Sequence, residues 1–257
     1  MKKRYIIPIA IIAIYFIVFF FALGGTNKLK KDRQVATLLV GDNTVFTLKK
    51  QSWETVTDAD ALAKLDWTKF RVYVSNEDYG ENYVWHDDKW YIFNDKREAK
   101  NYIGRFVAYQ ANYDMPIKKF TTKENTNLGV VQEVLQANSL DPNSEFTVNE
   151  VISVDYDNDG ITENFYLISN AFPFDFIPNK TFTIVFMEKN KAITYLYSSI
   201  QETGDFTGCK PYISGIIDTN SDNVYEIIFS CGRYSAEEEL NILYEYKNGI
   251  FKIDASN

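Results

Sequence analysis

Val154–Ile168 reads VDYDNDGITENFYLI, with four acidic residues in nine positions around Gly160 and apolar runs on both sides. The stretch Asp155-x-Asp157-x-Asp159-Gly160-x-x-Glu163 has a counterpart 63 residues downstream, Asp218-x-Asn220-x-Asp222-Asn223-x-x-Glu226. Side chains with ligand-type oxygens stand at positions 1, 3, 5 and 9 of both. Position 6 is Gly160 in one and Asn223 in the other, residue types that accept a left-handed backbone. A repeat constrains a fold strongly, because each copy must bury its apolar face against a neighbour.

Working outward, eight candidate strands follow in the same order in both copies. The first four are Glu145–Val154, Glu163–Ser169, Thr181–Met187 and Ala192–Ser199; the second four are Tyr212–Ile217, Glu226–Cys231, Glu239–Tyr246 and Ile250–Ile253. Alternating apolar and β-branched residues between turn residues predict short strands and tight hairpins. Each unit, about 145–207 and about 208–257, is expected to form a four-stranded antiparallel, blade-like sheet. Such a sheet has two faces to bury, so units stack as blades or pack as a sandwich.

Upstream, Val35–Val40 and Thr44–Leu48 predict a hairpin, Phe70–Ser75 a strand, and Tyr83–Trp85 with Trp90–Phe93 a second hairpin. Asp95 as a cap, followed by Arg97, Tyr102, Ile103, Phe106 and Val107 at helical spacing, predicts a helix. Thr126–Ala137, TNLGVVQEVLQA, predicts a shorter one, and the Pro116-containing segment 114–125 marks a boundary. The expected fold class is an α+β amino-terminal domain over 34–125. It is followed over 126–257 by a short helix and mainly antiparallel β in two blade-like repeats.

Alternating short carboxylates suit a hard cation. Calcium takes six to eight oxygens from carboxylates, amides, backbone carbonyls and water, and carboxylates this close repel one another without one. Position 7, Ile161 or Val224, can add a backbone carbonyl while its side chain packs. An EF-hand is excluded: it needs a bidentate Glu at position 12 between helices, and position 12 here is Tyr166 or Phe229 between strand-like flanks. An acidic, solvated turn is the competing reading, since Asp, Asn and Gly favour turns in any case.

Residues about 145–257 resemble the calcium-loop blades of the FG-GAP/VCBS repeat family, which includes integrin-type β-propellers, on this loop recurring in register. The resemblance implies that the loop joins the first two strands of each blade and holds calcium. The implied ligands are Asp155, Asp157, Asp159, the Ile161 carbonyl and Glu163 in the first copy. In the second they are Asp218, Asn220, Asp222, the Val224 carbonyl and Glu226. The sequence departs from the family in lacking its Phe-Gly and Gly-Ala-Pro signatures, in Glu at position 9, and in Asn at positions 3 and 6 of the second loop.

Tyr5–Leu23, YIIPIAIIAIYFIVFFFAL, is an apolar run of 19 residues behind Met1-Lys2-Lys3-Arg4. It is long enough for a transmembrane helix and longer than the usual apolar core of a signal peptide. An uncleaved signal anchor is therefore favoured over a peptide cleaved near Ala22-Leu23-Gly24. Lys28, Lys30, Lys31 and Arg33 nearly balance Lys2, Lys3 and Arg4, so flanking charge alone does not orient the segment. Cys209 and Cys231 flank the second loop, and a hairpin there brings them within reach of a cross-strand disulfide; free thiols are the alternative. A disulfide suits an oxidising compartment. Residues 1–33 then read as a cytoplasmic tip, a single membrane span and a basic juxtamembrane segment, with the remainder extracytoplasmic.

Beyond residue 33 the chain holds 20 basic and 34 acidic residues, a formal charge of −14. No basic patch exists to neutralise phosphates, so nucleic acid is not an expected partner. His86, the one histidine, sits in the turn WHDDKW, and no G-x-S-x-G, H-E-x-x-H or P-loop pattern occurs. The expectation is a membrane-anchored binding or interaction protein of the cell envelope, whose calcium-stabilised repeats recognise a protein partner or an envelope glycan. A cell-envelope hydrolase acting on glycans and a structural subunit of a membrane complex are the alternatives.

Overall fold

Tight turns cut the chain into hairpins, and every described strand pairing is antiparallel. The computed structural model describes residues 36–49, 52–75, 77–87, 89–96, 98–100, 106–113, 115–123, 126–170, 180–202, 209–233, 239–248 and 250–256. The apolar run 5–23 and its basic flanks lie outside the described residues. Among the described residues, no helix is long and apolar enough to cross a membrane.

The first sheet contains β1 (Thr37–Val40), β2 (Thr44–Lys49), β3 (Ser52–Thr55), β4 (Lys69–Val74), β5 (Glu77–His86), β6 (Trp90–Phe93), β7 (Ala99–Lys100) and β8 (Phe106–Gln110). Their order is β3-β2-β1-β8-β4-β5-β6-β7. Both predicted hairpins form here. Alternation along β4 buries Phe70 and Val72 while Lys69 and Arg71 stay exposed. The buried set joins Leu39, Val45, Val84, Trp90, Ile92, Phe106 and Ala108 in one core, closed by Leu62 and Leu65 on and just after the short helix α1 (Ala59–Ala63). Asp58 caps that helix by accepting from Ala61 N at 2.8 Å.

The helix expected after Asp95 is absent among the described residues, and Arg97, Tyr102 and Ile103 of that expectation lie outside them. Residues 99–100 and 106–110 are strands instead, and β8 lies between β1 and β4 in the middle of the sheet. Phe106, Val107, Ala108 and Tyr109 are all buried. A strand covered on both faces loses the alternation that identifies strands, so tertiary pairing overrides the helical spacing.

The second sheet joins β9 (Thr121–Thr122), β10 (Thr147–Val154), β11 (Glu163–Ser169), β12 (Lys180–Lys189) and β13 (Ala192–Glu202), in the order β13-β12-β11-β10-β9. The third joins β14 (Cys209–Ile217), β15 (Glu226–Arg233), β16 (Glu239–Lys247) and β17 (Ile250–Ser256) in sequence order. All eight strands read from the repeat are present. The likeness reaches below strand order. The return strands of the hairpins β12–β13 and β16–β17 carry a bulge at corresponding positions, leaving Leu196 and Asp254 unpaired in the ladder. Asn190 and Asn248 then open the two turns with φ of 52° and 56°.

Residues Thr37–Asn257 belong to one compact unit, and within it the sheets are layered. Ile152, Phe165, Leu167 and Val185 of the second sheet pack on Ile213, Ile216, Phe229 and Tyr244 of the third. The other face of the third sheet meets the first. A Cβ added to Gly215 would lie 3.0 Å from Val107 Cγ2, and Asn241 Nδ2 donates to Thr44 Oγ1 at 2.9 Å. The outer face of the second sheet, with Val151, Tyr166, Ile168 and Phe186, is covered by helix α2 (Leu128–Ala137). That helix presents Val131, Val134 and Leu135 at helical spacing. It stops at left-handed Ser139, with Leu140 N donating to Leu135 O and Ser139 N to Gln136 O, a Schellman termination.

Candidate metal centre

The first acidic loop is the β10–β11 connection and the second is the β14–β15 connection. Their local geometry repeats residue by residue. At position 4 Asn158 and Ser221 have φ of 57° and 62°, and at position 6 Gly160 and Asn223 have φ of 85° and 67°. Position 2 donates its backbone N–H to position 9: Tyr156 to Glu163, and Thr219 to Glu226. Position 6 donates to position 1, and position 7 donates to position 5, in both loops. The two loops also touch: Asn158 Nδ2 donates to Asn223 O at 2.8 Å, and Tyr225 N donates to Tyr156 O at 3.1 Å.

In the first loop, backbone direction separates oxygens from the aromatic ring. Tyr156 is fully buried and packs edge-on against Phe165 and Tyr246, at centroid distances of 5.8 and 5.2 Å. Asp155, Asp157 and Asp159 each present an oxygen, and these lie within 4.8 Å of one another. Oxygens on opposite sides of one calcium ion are about 5 Å apart, given bonds of about 2.3–2.6 Å. The three carboxylates therefore fit around a single ion, and this cluster can hold a metal. Asp155 Oδ1 and Asp157 Oδ1 are buried without a hydrogen-bond partner.

A lysine that the sequence reading passed over also reaches this cluster. Lys189, the last residue of β12, places Nζ 2.8 Å from Asp157 Oδ2, 2.6 Å from Asp159 Oδ2 and 2.9 Å from Glu163 Oε1. The same atom lies 5.9 Å from the centroid of the Tyr156 ring. Glu163 is fully buried, and its Oε1 makes an ion contact that lacks hydrogen-bond alignment. Burial pushes the Glu163 carboxyl up, against the opposing pull of Lys189. Asp159, in contrast, is held below the usual range by its hydrogen bond from Lys189. Burial works against the Lys189 charge, but its interactions with the carboxylates of Asp157, Asp159 and Glu163 outweigh it and raise the ammonium's pKa.

The second loop satisfies itself. Asp218 accepts from the N–H groups of Ser221 at 2.6 Å and Asn223 at 3.1 Å. Glu226 Oε2 accepts from Thr219 N and Oγ1, and its Oε1 accepts from Asn220 Nδ2 at 3.2 Å. Asn220 at position 3 thus bonds directly to position 9, across the gap that Lys189 spans in the first loop. Glu226 is nonetheless pushed up to about 7 by burial, against those hydrogen bonds. Among the described residues, Asp155, Asp157 and Asp159 converge closely enough to hold a metal ion, and Asp218, Asp222 and Glu226 do not. At position 7, Val224 packs against the core as expected, whereas Ile161 is 38% exposed.

Cys209 and Cys231 are disulfide-bonded, with Cα atoms 5.4 Å apart. Pro211 is the residue directly opposite Cys231, so the bridge runs diagonally across β14 and β15. Thr183 Oγ1 donates to Cys209 O at 3.1 Å and ties the bridge to the second sheet.

The chain is thus a β-rich protein of antiparallel sheets with an acidic loop cluster competent to hold a cation. No protein-family model, curated protein or solved structure matches it.

Proposed function

We propose that this is a membrane-anchored, extracytoplasmic binding protein whose two blade-like repeats are stiffened by calcium and recognise a protein partner or an envelope glycan. The observation that carries the reading is the duplicated loop: two left-handed positions and three backbone-to-carboxylate hydrogen bonds recur in both copies. A solvated acidic turn has no need of such repetition, and it does not leave Asp155 Oδ1 and Asp157 Oδ1 buried and unbonded. The likeness to FG-GAP/VCBS blades supplies the ion class: calcium on Asp155, Asp157, Asp159 and Glu163. A weaker site in the second loop would use Asp218, Asn220, Asp222 and Glu226. The disulfide supports an oxidising compartment, with residues 5–23 as the anchor.

Recognition is assigned to the outer strands of the first sheet. Tyr83 pairs with Phe93 and Trp85 with Tyr91 across β5 and β6, all half-buried, and Trp67, 44% exposed, packs at a tilt against Phe93 with ring centroids 5.1 Å apart. Aromatic faces beside polar side chains suit sugar rings and apolar side chains alike.

Thermal unfolding of the full chain, with calcium and with chelator, tests the reading. A ligand that binds only the folded state stabilises it by about 2.7 kcal/mol at a hundredfold excess over its dissociation constant. The expected result is a calcium-dependent rise in Tm that Asp157→Ala removes. No rise at millimolar calcium rejects the metal centre and, with it, the blade reading.

A further inference from the structure

We propose that Lys189 is a tethered rival of the divalent cation. Its ammonium and the metal use the same carboxylates, so the first loop closes in two alternative ways and Lys189 sets how much cation is needed. This rests on the calcium reading of that loop.

Three observations support it. The Lys189 ammonium sits among position 3, position 5 and position 9 oxygens, at 2.8, 2.6 and 2.9 Å. An ammonium has only three donors, fewer than the carboxylate oxygens gathered here. Asp155 Oδ1 and Asp157 Oδ1 remain buried and unbonded, and fully buried Glu163 aims an oxygen inward without hydrogen-bond alignment. The loop therefore offers more oxygens than an ammonium can use, whereas calcium takes six to eight.

The second repeat is an internal control. Lys247 ends β16 as Lys189 ends β12: Lys189 pairs with Ala192 across its turn, and Lys247 with Ile250. Lys247 nevertheless makes its ion pair with Glu245 of its own strand, with its side chain 57% exposed. The difference tracks position 3. Asp157 needs a cation between itself and Glu163, whereas Asn220 donates to Glu226 directly. Lys247 also shows where a lysine at this hairpin position goes when its loop does not hold it.

Calorimetric titration of calcium into the full chain, wild type against Lys189→Met, tests the competition. The substitution keeps the aliphatic length and removes the charge. Lys189→Met is expected to bind calcium at least tenfold more tightly, while Lys247→Met leaves affinity unchanged. Calcium bound equally or less tightly by Lys189→Met overturns the competition and leaves the calcium reading standing. No calcium binding by either protein overturns both. A second measurement needs no variant: acylation of lysines in the wild-type chain, mapped by mass spectrometry. Lys189 is expected to react more slowly than Lys247 in chelator and to accelerate several-fold with calcium. Unchanged or slower reaction of Lys189 with calcium overturns the proposal.

Discussion

Glu226 is 2% exposed, and its carboxyl is pushed from 4.5 up to about 7 by burial. The unfolded chain releases this proton at lower pH than the folded one. The group's contribution to stability is therefore greatest below about 4.5 and falls as pH rises to about 7. Chemical denaturation in chelator is expected to show wild type losing about 3 kcal/mol relative to Glu226→Gln across that window. A difference independent of pH would mean that Glu226 ionises normally. At this scale the acidic residues were legible, because their oxygens are spaced along one loop and Gly160 and Asn223 stand where the backbone turns left-handed. Lys189 was not legible. It reaches Glu163 because β12 pairs with β11, with Asn164 opposite Glu188, and no local pattern encodes which distant strand lies alongside.

Among the elements, the hairpin β14–β15 carries a covalent restraint. Its disulfide spans a sequence separation of 22, for which loop closure in the unfolded chain predicts about 3 kcal/mol of stabilisation. The double substitution Cys209→Ser, Cys231→Ser is expected to lower stability by about that amount in denaturant titrations, and reductant is expected to lower wild type alike. An unchanged midpoint would show that the bridge contributes nothing. The spacing of these cysteines around the acidic loop was enough to anticipate the bridge, since a hairpin turning at the loop fixes the register. The same local logic found α2 from Leu128 to Ala137. It failed at β8, where Phe106, Val107, Ala108 and Tyr109 are uniformly buried and carry neither period. It also missed β3, where Ser52–Thr55 buries Trp53 alone.

At the scale of the whole molecule, stacking of the first sheet on the third depends on close approach at Gly215. A Cβ there meets Val107 Cγ2 at 3.0 Å, tighter than ordinary contact. Gly215→Ala is expected to cost about 1–3 kcal/mol by overpacking, read as a lowered denaturation midpoint. Val107→Ala in the same chain is expected to restore part of it, and additive losses would show that the two positions do not press on one another. The repeat predicted that its sheets must pack against something. It did not predict that the third sheet lies between the second and the first, nor that Asn241 would reach Thr44 across 197 positions. Those contacts depend on distant segments meeting, and alternation records only that a face is buried.

Helix α2 covers one outer face of the repeat pair, and the first sheet covers the other. Repeat arrays lengthen by duplication when their terminal surfaces resemble their internal ones, and a distinct terminal element ends the series. A copied unit added before Thr147 would have to displace Val131, Val134 and Leu135 from Tyr166 and Phe186 before it found a surface to join. A ten-residue helix thus closes the repeat pair on this side, and an extra unit would find no open sheet face there.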